Sequence, residues 1–180
     1  MRITGKIILF FLSLFFLSAI HIGASYFLPF PWSKINLIFL LLVIIMMWRD
    51  TSLIVWVAFF THLIIELYSA TPFGVQLFSS TIGMLFTFWI YKNLFNNRSW
   101  YSAMAITAFS LTVYRLLYTA SLILLKFLGI IVSIPWKNAA ETFVWEILLT
   151  VFGTGITYFI LSKFFKSFKD SPIEHGLFKV

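Results

Sequence analysis

From Ile7 to Leu28 the chain runs almost without a polar interruption, and few structures are open to a backbone in such a run. Apolar sequence of this length belongs in lipid, where no solvent satisfies a free N–H or C=O, so a helix over 7–28 is predicted. A secretory leader has the same basic-then-apolar order, here Met1 to Lys6 and then the run, but its apolar core is only about 7–15 residues. The run is therefore read as a retained membrane helix.

The rest of the chain repeats the pattern: apolar runs joined by short polar turns. Helices are predicted over about 36–48, 52–67, 75–91, 101–128 and 139–165, with a polar tail at 166–180. Composition agrees, since 61% of residues are hydrophobic and only 11% charged, against about 25% charged in a soluble domain. The expectation is an all-α, polytopic membrane helix bundle forming a single integral membrane domain. There are no cysteines, so disulfides, thiolate metal sites and cysteine nucleophiles are excluded.

The second run, Asn36 to Trp48, is short. Thirteen residues rise only about 20 Å against a hydrocarbon core of about 30 Å. Charge placement favours a crossing all the same. If the run crosses, there are six transmembrane helices with both termini cytoplasmic. Nine of the thirteen Lys and Arg residues (Arg2, Lys6, Arg49, Lys92, Arg98, Lys163, Lys166, Lys169, Lys179) then lie inside. Lys34, Lys126 and Lys137 lie outside, and Arg115 falls within a helix. If the run does not cross, the count becomes four inside and eight outside, against the tendency of cytoplasmic loops to collect positive charge. The net charge of +7 is thus topological, and no nucleic-acid partner is expected.

Polar residues inside the apolar runs are the candidates for function, because charge in hydrocarbon is costly without a partner. They are His21, His62, Glu66, Arg115 and Glu146, with Tyr114 and Tyr118 beside Arg115 and Glu141 at the interface. His62 and Glu66, one helical turn apart, share a face. Arg115 is expected to pair with Glu66 or Glu146. Such a cluster is either a structural ion pair that fixes helix packing or a site for a polar ligand or a proton path. Small residues allow close helix approach at Ser18, Ala19 and Gly23 and again at Gly153 and Gly155. No HExxH, GxSxG, P-loop or paired-carboxylate spacing occurs, and His62 with Glu66 makes only half a metal site. No enzyme activity, metal or cofactor is expected.

The third run ends in Glu66, then Ser69-Ala70, then Pro72-Phe73-Gly74, and a new apolar run starts at Val75. Proline fixes φ and glycine accepts φ > 0, so this is a tight reversal between two helices. The segment from Pro31 to Arg98 resembles the rod shape-determining MreD family. The likeness lies in a short second helix after a Pro-containing turn, the basic turn at Arg49-Asp50, and the acid, small-residue and Pro-x-Gly sequence Glu66, Pro72, Gly74. Two positions depart from the family pattern, which usually has Asp at Glu66 and Gly at His62. The resemblance implies the architecture of the substrate-binding subunits of energy-coupling-factor vitamin importers. It also implies a noncatalytic scaffold in the machinery of lateral-wall peptidoglycan synthesis, in the bacterial cytoplasmic membrane. The implied partners are membrane lipids, an MreC-like protein and other elongation-complex membrane proteins. A substrate-binding subunit of a vitamin or micronutrient importer is the alternative, with the outer polar residues as its pocket and Ala19-x-x-x-Gly23 as a strip for its coupling subunit.

Overall fold

A computed structural model describes residues 3–49, 51–94 and 99–165. Arg2, Asp50, Arg98, Lys166, Lys169, Lys179 and the tail at 166–180 lie outside the described residues. Six α-helices and no strand are found among the described residues: α1 (Ile3–Phe27), α2 (Leu37–Arg49), α3 (Leu53–Glu66), α4 (Val75–Leu94), α5 (Trp100–Phe127) and α6 (Trp136–Phe164). α1 begins at Ile3 rather than residue 7, α4 continues to Leu94 rather than 91, and α6 begins at Trp136 rather than 139.

The ends follow from local chemistry. Asn36 caps α2, its Oδ1 accepting from the Phe39 N–H at 3.2 Å, and Ser99 caps α5, its Oγ accepting from the Ser102 N–H at 3.3 Å. α5 closes at Gly129, which takes φ +73 while the Ile130 and Gly129 N–H groups return to the carbonyls of Leu125 and Lys126. That is the paired bonding of a Schellman end, and it uses glycine's freedom at positive φ. α6 starts directly after Pro135.

Three helices, α1, α5 and α6, are long and apolar enough to cross a membrane. α2 and α3, at 13 and 14 residues, are apolar but shorter. α4 has 20 residues, but Gln76, Ser79, Ser80, Thr81 and Thr87 dilute it. Large apolar side chains cover the outer surface, among them Phe11, Phe16, Trp89, Phe152 and Phe159. A protein in water rarely shows such a continuous apolar exterior, whereas lipid requires one. The chain is a helical membrane protein.

The short α2 is the centre of the bundle. It packs against α1, α3, α5 and α6, and Ile38, Phe39, Leu42, Val43, Met46 and Met47 are fully buried. A helix that is apolar on every side belongs in an interior, and one wrapped by other helices need not match the lipid thickness itself. Partner residues fix the directions of the other helices. Gly83 and Thr87 of α4 meet Tyr114 and Ser110 of α5, so these two run antiparallel. Met104 meets Gly155, and Arg115 meets Glu146, which makes α5 and α6 antiparallel too. Asn36 touches Thr150 and Leu40 approaches Gly153, so α2 and α6 are parallel. Successive helices therefore alternate up and down.

The glycines divide by surroundings. A Cβ on Gly83 would lie 3.4 Å from the Tyr114 backbone, and one on Gly155 would lie 2.7 Å from the Met104 sulfur. These are close helix crossings of the kind small residues permit. At Gly23 a Cβ would meet nothing within 4 Å. The expected strip on α1 is split: Ser18 is buried, its Oγ 3.4 Å from the Thr61 carbonyl, while Ala19 is exposed and lines an open groove together with Gly23. The physical reason is rotation about α1, since residues one apart lie about 100° around a helix.

Candidate functional site

Alternation brings the C-terminal ends of α1 and α3 to the same end of the bundle as the N-terminal ends of α2 and α4. A polar cavity of about 250 Å³ lies there. Its walls carry His21 of α1, Asn36, His62 of α3, Gln76 of α4, Arg115 of α5 and Glu146 of α6. It thus joins four of the five intramembrane candidates. Glu66 stands just outside it and Glu141 is exposed on α6 away from it.

Glu66 and Glu146 have different tasks. Glu66 is buried at the end of α3, and its two carboxylate oxygens accept from the backbone N–H groups of Gln76 at 2.9 Å and Leu77 at 3.2 Å. Those are the second and third residues of α4, whose first N–H groups have no partner within the helix. The residue before α4 is Gly74, at φ +100, which has no side chain with which to cap. Glu66 supplies the cap from the preceding helix, and its negative charge faces the positive end of the α4 dipole. Ser69 braces the same turn, its Oγ accepting from the Thr71 N–H at 3.2 Å and from the Gln76 amide at 3.0 Å.

Arg115 pairs with Glu146 and not with Glu66: its Nε donates to Glu146 Oε2. The other oxygen, Oε1, accepts from Asn36 Nδ2 at 2.7 Å, and the Asn36 N–H donates to Thr150 Oγ1 at 2.9 Å. Both oxygens of this buried carboxylate are therefore satisfied. The Arg115 guanidinium carbon lies 5.4 Å from the Tyr114 ring centre and 5.5 Å from that of Tyr118, within cation–π range. His62 does not bond Glu66 either; its Nδ1 lies 2.9 Å from the Ala58 carbonyl. A carbonyl only accepts, so Nδ1 carries the proton. His21 Nδ1 is buried and has no hydrogen-bond partner among the described residues.

Asn36, Gln76 and Ser69 were not among the sequence candidates. Asn36 had a readable signal, an Asn at the start of an apolar run, which is a helix N-cap pattern. Ser69 stood out only as a small residue of the turn and Gln76 not at all, because their bonds depend on how α3 and α4 meet. No group of three or more His, Asp or Glu side chains that could hold a metal ion occurs among the described residues.

The arrangement defines a helical membrane protein with a polar cavity at one end of its bundle. The chain matches no protein-family model, no curated protein and no solved structure.

Proposed function

We propose that the chain crosses the bacterial cytoplasmic membrane six times, with both termini inside, and serves as an MreD-like noncatalytic scaffold of the cell-wall elongation machinery. The observation that carries this reading is the Glu66 cap. Three of the residues that carry the family resemblance meet in one turn: Glu66 caps α4, the Pro72 carbonyl accepts from the Val75 N–H at 3.4 Å, and Gly74 takes φ +100. The acid closes α4 across a turn that only glycine enters without strain. A motif committed to holding a hairpin rigid suits a protein that works by presenting helix surfaces. The charge pattern supports the orientation. Arg49, Lys92 and Lys163 close α2, α4 and α6 at the end opposite the cavity, each over an aromatic ring.

The test is purification from native membranes with mass spectrometry of what accompanies the protein. Recovery of an MreC-like protein and other elongation-complex proteins is expected. Recovery of an ATPase module together with a tightly held water-soluble small molecule would overturn the scaffold in favour of an importer subunit. The polar cavity, of a volume suited to a small ligand, is the observation that favours this second reading.

A further inference from the structure

The polar cavity has a neighbour. Ile22, Tyr26 and Tyr68 line it, and the same three residues line a larger apolar groove of about 610 Å³ between α1 and α3. Phe15, Ala19, Gly23 and Ile64 complete that groove. Tyr26, Phe27 and Tyr68 at its rim are exposed, so the groove opens sideways from the bundle. The polar cavity and the apolar groove thus lie side by side, with Ile22, Tyr26 and Tyr68 as their common wall, and the groove faces the surrounding lipid.

The polar half has unused hydrogen-bonding capacity of one kind. Glu146 is fully engaged by Arg115 and Asn36, and Glu66 by the start of α4. Arg115 uses only its Nε, so its two terminal nitrogens hold no partner among the described residues. A guanidinium with free terminal N–H groups matches phosphate oxygens, and its fork geometry allows two parallel bonds. Aromatic residues that favour the headgroup level, Tyr26, Trp32, Tyr68 and Trp136, are exposed at this end of the molecule.

We propose that the cavity and the α1–α3 groove together bind one membrane lipid, its phosphate headgroup on the Arg115 terminal nitrogens and an acyl or prenyl chain along Ala19 and Gly23. This rests on the chain lying in a membrane and not on the scaffold reading. A glycerophospholipid and a polyprenyl phosphate share the required chemistry.

Gly23 allows a test that leaves the fold alone, because a side chain there meets open space. The full chain is purified in detergent, stripped of lipid and titrated by native mass spectrometry. The separate probes are phosphatidylglycerol, a polyprenyl monophosphate, a phosphate-free diacyl glycolipid and inorganic phosphate. One-to-one binding of either phosphate lipid is expected, with the tighter of the two identifying the source. Gly23→Phe and the charge-neutral pair Arg115→Gln/Glu146→Gln should each weaken it at least about tenfold, the loss of a charge-assisted contact or of the chain's seat. Equal binding of the glycolipid, binding of inorganic phosphate alone, or unchanged binding by Gly23→Phe each overturns the proposal. So does a cysteine at Gly23 that crosslinks in membranes to a protein helix while no lipid is retained.

Discussion

Replacing Glu66 by Gln tests the cap without changing the size of the side chain. In the native structure two backbone N–H groups point at two carboxylate oxygens. The amide keeps one acceptor and turns an NH₂ toward the other N–H, so one bond is lost and the helix end faces no charge. A hydrogen bond to a charged acceptor contributes about 1.5–3 kcal/mol, and a partly buried charge at a helix terminus up to about 2 kcal/mol. Gln76 borders the polar cavity, so water can replace part of what is lost. The expected destabilisation is about 1–3 kcal/mol for Glu66→Gln and somewhat more for Glu66→Ala, which leaves both N–H groups without a partner. In a chain of this size each kcal/mol lowers Tm by about 2–4 °C. Thermal melting in detergent gives the total. Hydrogen exchange over residues 75–80 gives the location, and protection there should fall before that of α5 or α6. A Glu66→Gln variant with wild-type Tm and unchanged exchange at the start of α4 would refute the reasoning.

The remaining expectations concern the ion pair, two glycines and the orientation. Arg115→Met and Glu146→Gln should each cost more alone than combined, since a single change leaves one charge buried without its partner; a double-mutant cycle measures this, and strict additivity would count against a functional pair. The cycle between Arg115 and Glu66 should be additive to about 0.5 kcal/mol, because the two do not touch. Gly74→Leu should destabilise by about 1–2 kcal/mol through φ +100 alone, whereas Gly23→Leu should leave Tm unchanged. Gly83→Leu should weaken the α4–α5 contact by more than Gly83→Ala, because the longer side chain must enter the Tyr114 backbone. For orientation, Asn97 lies outside the described residues, so the neighbouring Asn93, exposed at the end of α4, takes its place as a label site in this cysteine-free chain. A cysteine at Asn93 should resist an impermeant external reagent in intact cells, and a cysteine at Tyr68 should react.

What the sequence makes legible is what lipid demands locally. Apolar runs mark the helices, and the Pro72 and Gly74 break marks the reversal, because each of these follows from a few adjacent residues. Partner choice is different in kind. Arg115 stands between two acids in the sequence, and nothing local prefers Glu146 to Glu66. The preference arises from the α5–α6 register set where Gly155 meets Met104, and from Asn36 reaching across to hold the second oxygen of Glu146. The central place of α2 is equally hidden: charge placement argues that the short run crosses, but nothing local says that the other helices surround it. Gly83 is hidden as well, since its close approach to Tyr114 depends on which face of α4, with the buried Ser79, Ser80 and Thr87, meets α5.

This division of labour bears on where function resides. Both acids buried in the bundle are fully committed, one to a helix end and one to an arginine, so neither carboxylate is left to accept a proton from a substrate without first breaking a structural bond. The groups left uncommitted are the terminal nitrogens of Arg115 and the open face of α1 at Ala19 and Gly23. A partner helix or a lipid chain can occupy the groove, but only a molecule with a polar head also satisfies the cavity. The two kinds of vacancy meet at Ile22, Tyr26 and Tyr68, and changes there should affect headgroup and chain recognition together.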